Sequence, residues 1–257
     1  MKIPTLYHYF RTPLPYVQTL ALQERIYQLQ LLQRRTSSHK DILLLLQHRP
    51  VYTVGRRQTE DSVQDERLRL TNIGADFVTT DRGGELTFHG PGQIVGYPLL
   101  DLSRSSPPMR VRDYVCRLEK FLQLHLWEAH GIQHAPIEHT GVFLDAHTKI
   151  ASIGVQVRHR LTTHGFAVNI TKEPIPWFDQ VVACGLADVK AGSVETATKK
   201  EVDIHQEIPG MLSRFGQLLE RELLPMNLEE EGEVGELIAN VERDALEAGE
   251  WAKAPQL

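Results

Sequence analysis

Lys149-Ile150-Ala151-Ser152-Ile153-Gly154-Val155-Gln156-Val157, then Arg158-His159-Arg160, then Leu161-Thr162-Thr163-His164-Gly165-Phe166-Ala167-Val168-Asn169-Ile170, is the stretch that decides the fold class. Two runs rich in β-branched and apolar residues, joined by a short polar turn, predict successive strands. Val142-Phe143-Leu144 and the turn at Asp145-Ala146-His147 place a third strand ahead of them, making a meander. Immediately upstream the period changes. Val111, Val115, Leu118, Leu122 and Leu126 recur at three- and four-residue steps and predict a helix over Val111 to His130 with a core-facing stripe.

The same mixture extends outward. Pro15 to Arg34 reads as an amphipathic helix, and Asp41-Ile42-Leu43-Leu44-Leu45-Leu46-Gln47 as a buried strand. Val51 to Gly55 continues extended. Leu68 to Asn72 predicts a short helix, Asp76 to Thr80 and Ile94 to Leu100 two further strands, and Ile208 to Leu223 a last helix ended by Pro225. Helices alternate with strands that also follow one another directly, which argues for one α+β (mixed α/β) domain.

At 257 residues, with 41% hydrophobic and 24% charged residues, the chain can bury a full core. It has no apolar run long enough to span a membrane, and Met1 to Phe10 does not read as a secretory signal. From Glu229 to Leu257 nine acidic residues stand against Arg243 and Lys253, a net of −7, which leaves the remainder of the −5 chain at about +2. That balance suits an acidic protein partner and is too weak for a nucleic-acid binder. The folded unit is therefore assigned to residues 1–228. Residues 229–257 form an acidic C-terminal extension, weakly helical through Leu237, Ile238, Val241 and Leu246 or disordered.

The chemistry-bearing residues are few. Arg82-Gly83-Gly84-Glu85-Leu86-Thr87-Phe88-His89-Gly90-Pro91-Gly92-Gln93 combines glycines that turn sharply or clear space with a short strand between an arginine and a histidine. It suits a narrow slot for an extended substrate, or a hairpin with no function. The two cysteines, Cys116 and Cys184, cannot make a disulfide framework and point to a reducing compartment. Cys116, inside the Val111 to His130 helix, is expected to pack structurally. Cys184, at a run's end beside Gly185, is either a reachable nucleophile or a small buried hydrophobe. Lys149 opens an apolar strand, where a desolvated lysine can exchange protons near neutral pH and an exposed one is inert. His125, His130, His134 and His139 do not share one helical face, and Gly131 and Pro136 interrupt them, so no metal site is assigned.

Taken together, the run Arg82 to Gln93, the strand Lys149 to Gly154, His164-Gly165-Phe166-Ala167-Val168-Asn169 and Ala183-Cys184-Gly185-Leu186 resemble, in order, the LipB-type octanoyltransferases, or lipoyl(octanoyl) transferases. Pro50-Val51-Tyr52-Thr53-Val54-Gly55-Arg56 resembles the family's upstream motif, so the likeness covers roughly Leu43 to Leu186. Phe88 stands where the family often has tyrosine, and Phe166 where it often has leucine; both keep an apolar surface.

The resemblance implies the biotin/lipoate protein ligase catalytic fold, a mixed sheet flanked by helices. It implies transfer of an octanoyl group from acyl carrier protein to a lysine of lipoyl domains, those of 2-oxoacid dehydrogenase complexes and the glycine cleavage H protein, without cofactor, nucleic acid or membrane. Cys184 would carry the acyl-thioester and Lys149 would ease its thiol into a thiolate. Arg82, Gly83, Gly84, Glu85, Leu86, Thr87, Phe88, His89, Ser152, Ile153, Gly154, Gly165, Phe166 and Ala167 would line the acyl and thioester pocket. The competing readings are an ATP-dependent lipoate or biotin ligase, which needs no nucleophilic cysteine, and a non-catalytic acyl-binding protein. A eukaryotic member would work in mitochondria and a bacterial one in the cytoplasm. The basic residues Lys2, Arg11 and Arg25, the wording His164 to Asn169 and the acidic tail favour the mitochondrial address.

Overall fold

The leucine run becomes strand β2 (Asp41–Leu46), buried along its whole length and sitting near the middle of the main sheet. Leu43 and Leu45 enter one hydrophobic cluster while Ile42, Leu44 and Leu46 enter another. Alternate side chains of a strand face opposite sides, so a run with no polar face marks a sheet covered on both. The computed structural model describes residues 2–36, 38–58, 61–181 and 188–256.

The remaining strands are β1 (Ile3–Tyr9), β3 (Val51–Val54), β4 (Asp76–Thr79), β5 (Thr87–His89), β6 (Gln93–Leu99), β7 (Val142–Asp145), β8 (Thr148–Arg158), β9 (Leu161–Asn169), β10 (Lys190–Ala191) and β11 (Arg221–Pro225). The helices are α1 (Tyr16–Gln33), α2 (Gln64–Asn72), α3 (Val111–His130), α4 (Ile175–Phe178), α5 (Val194–Thr198), α6 (Ile204–Leu218) and α7 (Glu233–Glu247). The main sheet runs β10-β8-β9-β6-β2-β1-β11, with β7 also paired to β8. It is mixed: β6 is antiparallel to β2 and β9, whereas β1 is parallel to β2 and β11. Helices α3 and α6 cover one face through Leu118, Phe121, Leu122, Met211 and Phe215. Helices α1 and α7 cover the other through Leu22, Ile26, Ile238 and Val241. A second sheet, β4-β3-β5, packs its own cluster around Tyr52, Phe88 and Trp177. The single-domain mixed sheet flanked by helices is as expected.

Several elements differ from the sequence reading, each for a tertiary reason. The segment Ile208 to Leu223 is not one helix. Helix α6 stops at Leu218, Glu220 takes a positive φ of 56°, and Arg221 to Pro225 pairs with β1. Strand β1 itself has no sequence signal strong enough to assign, and its partner lies at the far end of the chain. On α3, Val111 is 48% exposed and the stripe is carried by Tyr114, Leu118, Phe121 and Leu122. Cys116 is exposed rather than packed. The acidic segment takes the helical alternative as α7, but Ile238, Val241 and Ala245 pack into the second core cluster while Leu246 is exposed.

Candidate active site

Between the two sheets lies a slot of about 490 Å³, counted with its open mouth. Its walls come from the loop Arg82 to Glu85, from Thr87 and His89 of β5, from Val95 and Tyr97 of β6, and from β8 and β9. The long antiparallel pairing of β8 with β9 sets Ser152 opposite Ala167, Ile153 opposite Phe166 and Gly154 opposite Gly165. That register turns two separate sequence motifs into one wall.

Small residues are what allow the close approach. A Cβ on Gly154 would lie 2.9 Å from the Gly83 carbonyl oxygen, and one on Gly165 would lie 2.1 Å from that of Gly96. Arg82 holds the loop from inside. Its Nη2 donates to the carbonyls of Thr53 at 2.6 Å and Glu85 at 2.8 Å, and Nη1 donates to that of Gly83 at 3.1 Å. The Gly83 amide in turn donates to the Val155 carbonyl at 3.0 Å, which docks the loop on β8.

The inner end is aromatic, and its histidines are kept neutral. Nδ1 of His48 meets the Leu14 carbonyl at 3.1 Å, so it donates there, and Nε2 accepts from the Tyr97 hydroxyl at 2.6 Å. His89 donates through Nδ1 to Gln93 Oε1 at 2.7 Å and stacks on Tyr16. Burial pushes His48 down to about 3, His89 to about 4 and His164 to about 3, with the Arg82 charge adding to the last two. Neutral imidazoles and rings suit an uncharged, extended ligand.

Lys149 stands at the other end. It lines the inner slot and also an outer cleft of about 970 Å³ that continues past Gly83, Gly84 and Ile153 to Val115, Glu138, His139 and Thr140. Its Nζ lies 5.3 Å from the Phe143 ring centroid, a cation–π contact. Gly141, at φ +122°, clears its path, since a Cβ there would sit 2.6 Å from the lysine Cε. A polar chain braces this end: Gln93 donates to Asn169 Oδ1 at 2.8 Å, Asn169 to the Gly192 carbonyl at 2.9 Å, and the Gly192 amide to the Lys149 carbonyl at 2.8 Å. Strand β10 lies beside it, with Ala191 paired to Lys149.

Of the residues named from sequence, Arg82, Gly83, Gly84, Glu85, Thr87, His89, Lys149, Ser152, Ile153, Gly154, Gly165, Phe166 and Ala167 meet in this slot. Leu86 and Phe88 do not. They belong to the small sheet's cluster, where Phe88 stacks on Trp177 at 5.3 Å; strand alternation sends them to the side opposite Thr87 and His89. Cys184 lies outside the described residues. The sequence reading missed Tyr16, Val95, Tyr97, Gly141 and Phe143. His164, quoted in a motif but not placed in the pocket, lines it. Only period-two alternation along Ile94 to Leu100 could have singled out Val95 and Tyr97.

The site is a narrow slot between two sheets, closed by a glycine-rich loop and carrying Lys149 in its wall. The lipoyl protein ligase A/B catalytic domain matches residues 15–216, and the chain belongs to that family. An octanoyltransferase of Koribacter versatilis is 35% identical over 194 residues, covering 74% of this chain and 76% of the relative. The Danio rerio octanoyl-[acyl-carrier-protein]:protein N-octanoyltransferase, mitochondrial, is 38% identical over 180 residues, covering 70% and 78%. A solved putative lipoate protein ligase from T. acidophilum with bound lipoic acid shares the fold at TM-score 0.62 and 16% identity, covering 96% of each chain.

Proposed function

We infer that the protein is an octanoyltransferase: it moves an octanoyl group from octanoyl-acyl carrier protein to a lysine of a lipoyl domain. Relatives with that activity in their names, aligned over most of both chains, support the reaction class. The observation that carries the mechanism is the double position of Lys149, in the wall of the neutral slot and of the outer cleft at once. The slot suits the acyl tail, and the cleft suits the group that brings or receives it.

In the first half-reaction the Cys184 thiolate attacks the donor's thioester carbonyl. A carbon–sulfur bond forms to Cys184, the bond to phosphopantetheine breaks, and Lys149 returns to the leaving thiolate the proton it took from Cys184. In the second, the lipoyl-domain lysine attacks the acyl-enzyme. An amide forms, Cys184 leaves as thiolate, and Lys149 accepts the proton shed by the amine. The donor is already a thioester, so the route calls for neither nucleotide nor metal. Its support is the family membership.

The partners that fit are octanoyl-acyl carrier protein and the lipoyl domains of 2-oxoacid dehydrogenase complexes and the glycine cleavage H protein. Among the described residues no helix is long and apolar enough to cross a membrane. The compartment that fits is the mitochondrion for a eukaryotic source and the cytoplasm for a bacterial one.

The test is intact mass after mixing the protein with octanoyl-acyl carrier protein. Wild type gains one octanoyl group, labile to hydroxylamine and passed to added apo-lipoyl domain; Cys184→Ser and Lys149→Ala gain none. Modification of the domain from free octanoate and ATP, with no acyl-enzyme, would replace this reading with a ligase.

A further inference from the structure

Away from the slot, three side chains separated in sequence come together. His125 and His130 lie on the last turns of α3, and Glu207 in the first turns of α6. Nε2 of His125 is 2.8 Å from Glu207 Oε2, and Nε2 of His130 is 2.9 Å from the same oxygen. One ligand atom from each residue falls within 4.8 Å of the others. The imidazoles meet nearly at right angles, 74° between planes with centroids 5.9 Å apart, as rings do when both direct a nitrogen at one point. The sequence assigned no metal here because His125 and His130 were weighed with His134 and His139, and the carboxylate that completes the set is 77 residues beyond His130.

We propose that His125, His130 and Glu207 form a divalent transition-metal site, zinc by preference, that ties the end of α3 to the start of α6. Two imidazoles and one carboxylate are a donor set that zinc takes, with water in the fourth position. Without metal, the two Nε2–H groups must share one carboxylate oxygen; a cation replaces those two protons and serves all three groups. Tetrahedral zinc with bonds of about 2.0–2.1 Å holds its ligand atoms about 3.3 Å apart, so the two nitrogen–oxygen distances of 2.8 and 2.9 Å must open by about half an ångström and the two nitrogens, within 4.8 Å of each other, must come to the same spacing.

Burial and access both suit the site. The His125 side chain is 1% exposed, and His130, at 12%, leaves a path from solvent. The neighbouring cation, Arg214, is paired with Glu128 at 2.8 Å, which softens its repulsion of an incoming ion. Among the described residues Nδ1 of His125 is buried without a partner. Moving the His125 proton from Nε2 to Nδ1 would free the Nε2 lone pair for a metal without breaking a hydrogen bond at Nδ1. The absence of that supporting bond lowers affinity about 10–100-fold from a fully braced site, so a dissociation constant of about 1 μM is expected rather than the tighter values of structural zinc. The site is structural, not catalytic: Val115 of the outer cleft is ten residues up α3 from His125, roughly 15 Å along the axis.

The experiment is a zinc titration of the full chain, freed of any histidine tag, against a chromophoric chelator, with cobalt absorption as a geometric readout. Wild type should bind one equivalent with visible tetrahedral cobalt bands, and its melting midpoint should rise with zinc and fall with chelator. His130→Ala and the isosteric Glu207→Gln should bind at least about 100-fold more weakly while keeping wild-type circular dichroism and octanoyl transfer. Cys116→Ser should bind as wild type does. A wild-type chain that binds less than one equivalent at 50 μM free zinc, or folded His130→Ala and Glu207→Gln proteins that bind unchanged, would overturn the proposal.

Discussion

At the scale of single residues, two of the neighbours that position Lys149 have no chemistry of their own. Phe143 lies under its ammonium, and Gly141 leaves room for its stem. Lys149→Arg preserves the charge but not the capacity to exchange a proton, so acyl transfer should fall at least about 100-fold in a single-turnover assay. Gly141→Ala tests the space and the backbone turn together. The new Cβ meets Lys149 Cε at 2.6 Å, and the φ of +122° disfavours any side chain. Transfer should drop about tenfold or more, the effect of moving a reacting group by about an ångström. Cys116→Ser is the control: the thiol is exposed on α3, and activity should stay within about twofold of wild type. Lys149 and the glycine loop are singled out through the resemblance of their motifs to a family, since residue type alone leaves each of them open. Gly141 and Phe143 are not, because their value is where they touch Lys149 across β7 and β8.

At the scale of elements, the wall of the slot depends on how closely β6 and β9 lie. Phe166 fills the space above Gly96, and Gly165 passes over the Gly96 carbonyl and Pro98. Gly165→Ala would bring a methyl to 2.1 Å from a backbone oxygen that cannot step aside. We expect a loss of about 3 kcal/mol in urea unfolding, the upper range for overpacking. Elements with a local period were legible: α1, α3, β2, β8 and β9 stand close to where their apolar spacing puts them. Strands β1 and β11 were not. Each is short and half-buried, and each exists because the other, or β2, supplies its hydrogen bonds from a distant part of the chain.

At the scale of the whole molecule, three neutral buried histidines make stability depend on pH. Unfolded imidazoles take up protons near pH 6.5, while His48, His89 and His164 resist doing so until about 3, 4 and 3. The unfolded state therefore binds more protons between those values, and stability falls as pH drops through 6.5 towards 4. Each group contributes about 2 kcal/mol of destabilisation at pH 5 relative to pH 8. Urea midpoints measured at the two pH values should show it, and His164→Gln should shrink the difference. Helix α7 belongs to this scale as well. Arg49 donates to the carbonyls of Ala245 and Ala248 at its C-terminal end, at 2.8 and 2.9 Å, and Ile238 fills the cluster under α1. Truncation after Leu228 should lower the melting midpoint markedly and expose the apolar face of β2 to aggregation.

The sequence by itself determined the class of fold and the family, and through the motifs of that family it pointed to the glycine loop and the lysine. Each of these is written in a short contiguous run, where spacing and residue type act locally. Tertiary structure alone decided which side of β5 faces the slot, that Tyr16 and Tyr97 close its inner end, that β11 pairs with β1, and that Glu207 joins two histidines from another helix. These are contacts between residues far apart along the chain. No local period records them, because they form only when the whole sheet closes and brings both partners out of water together.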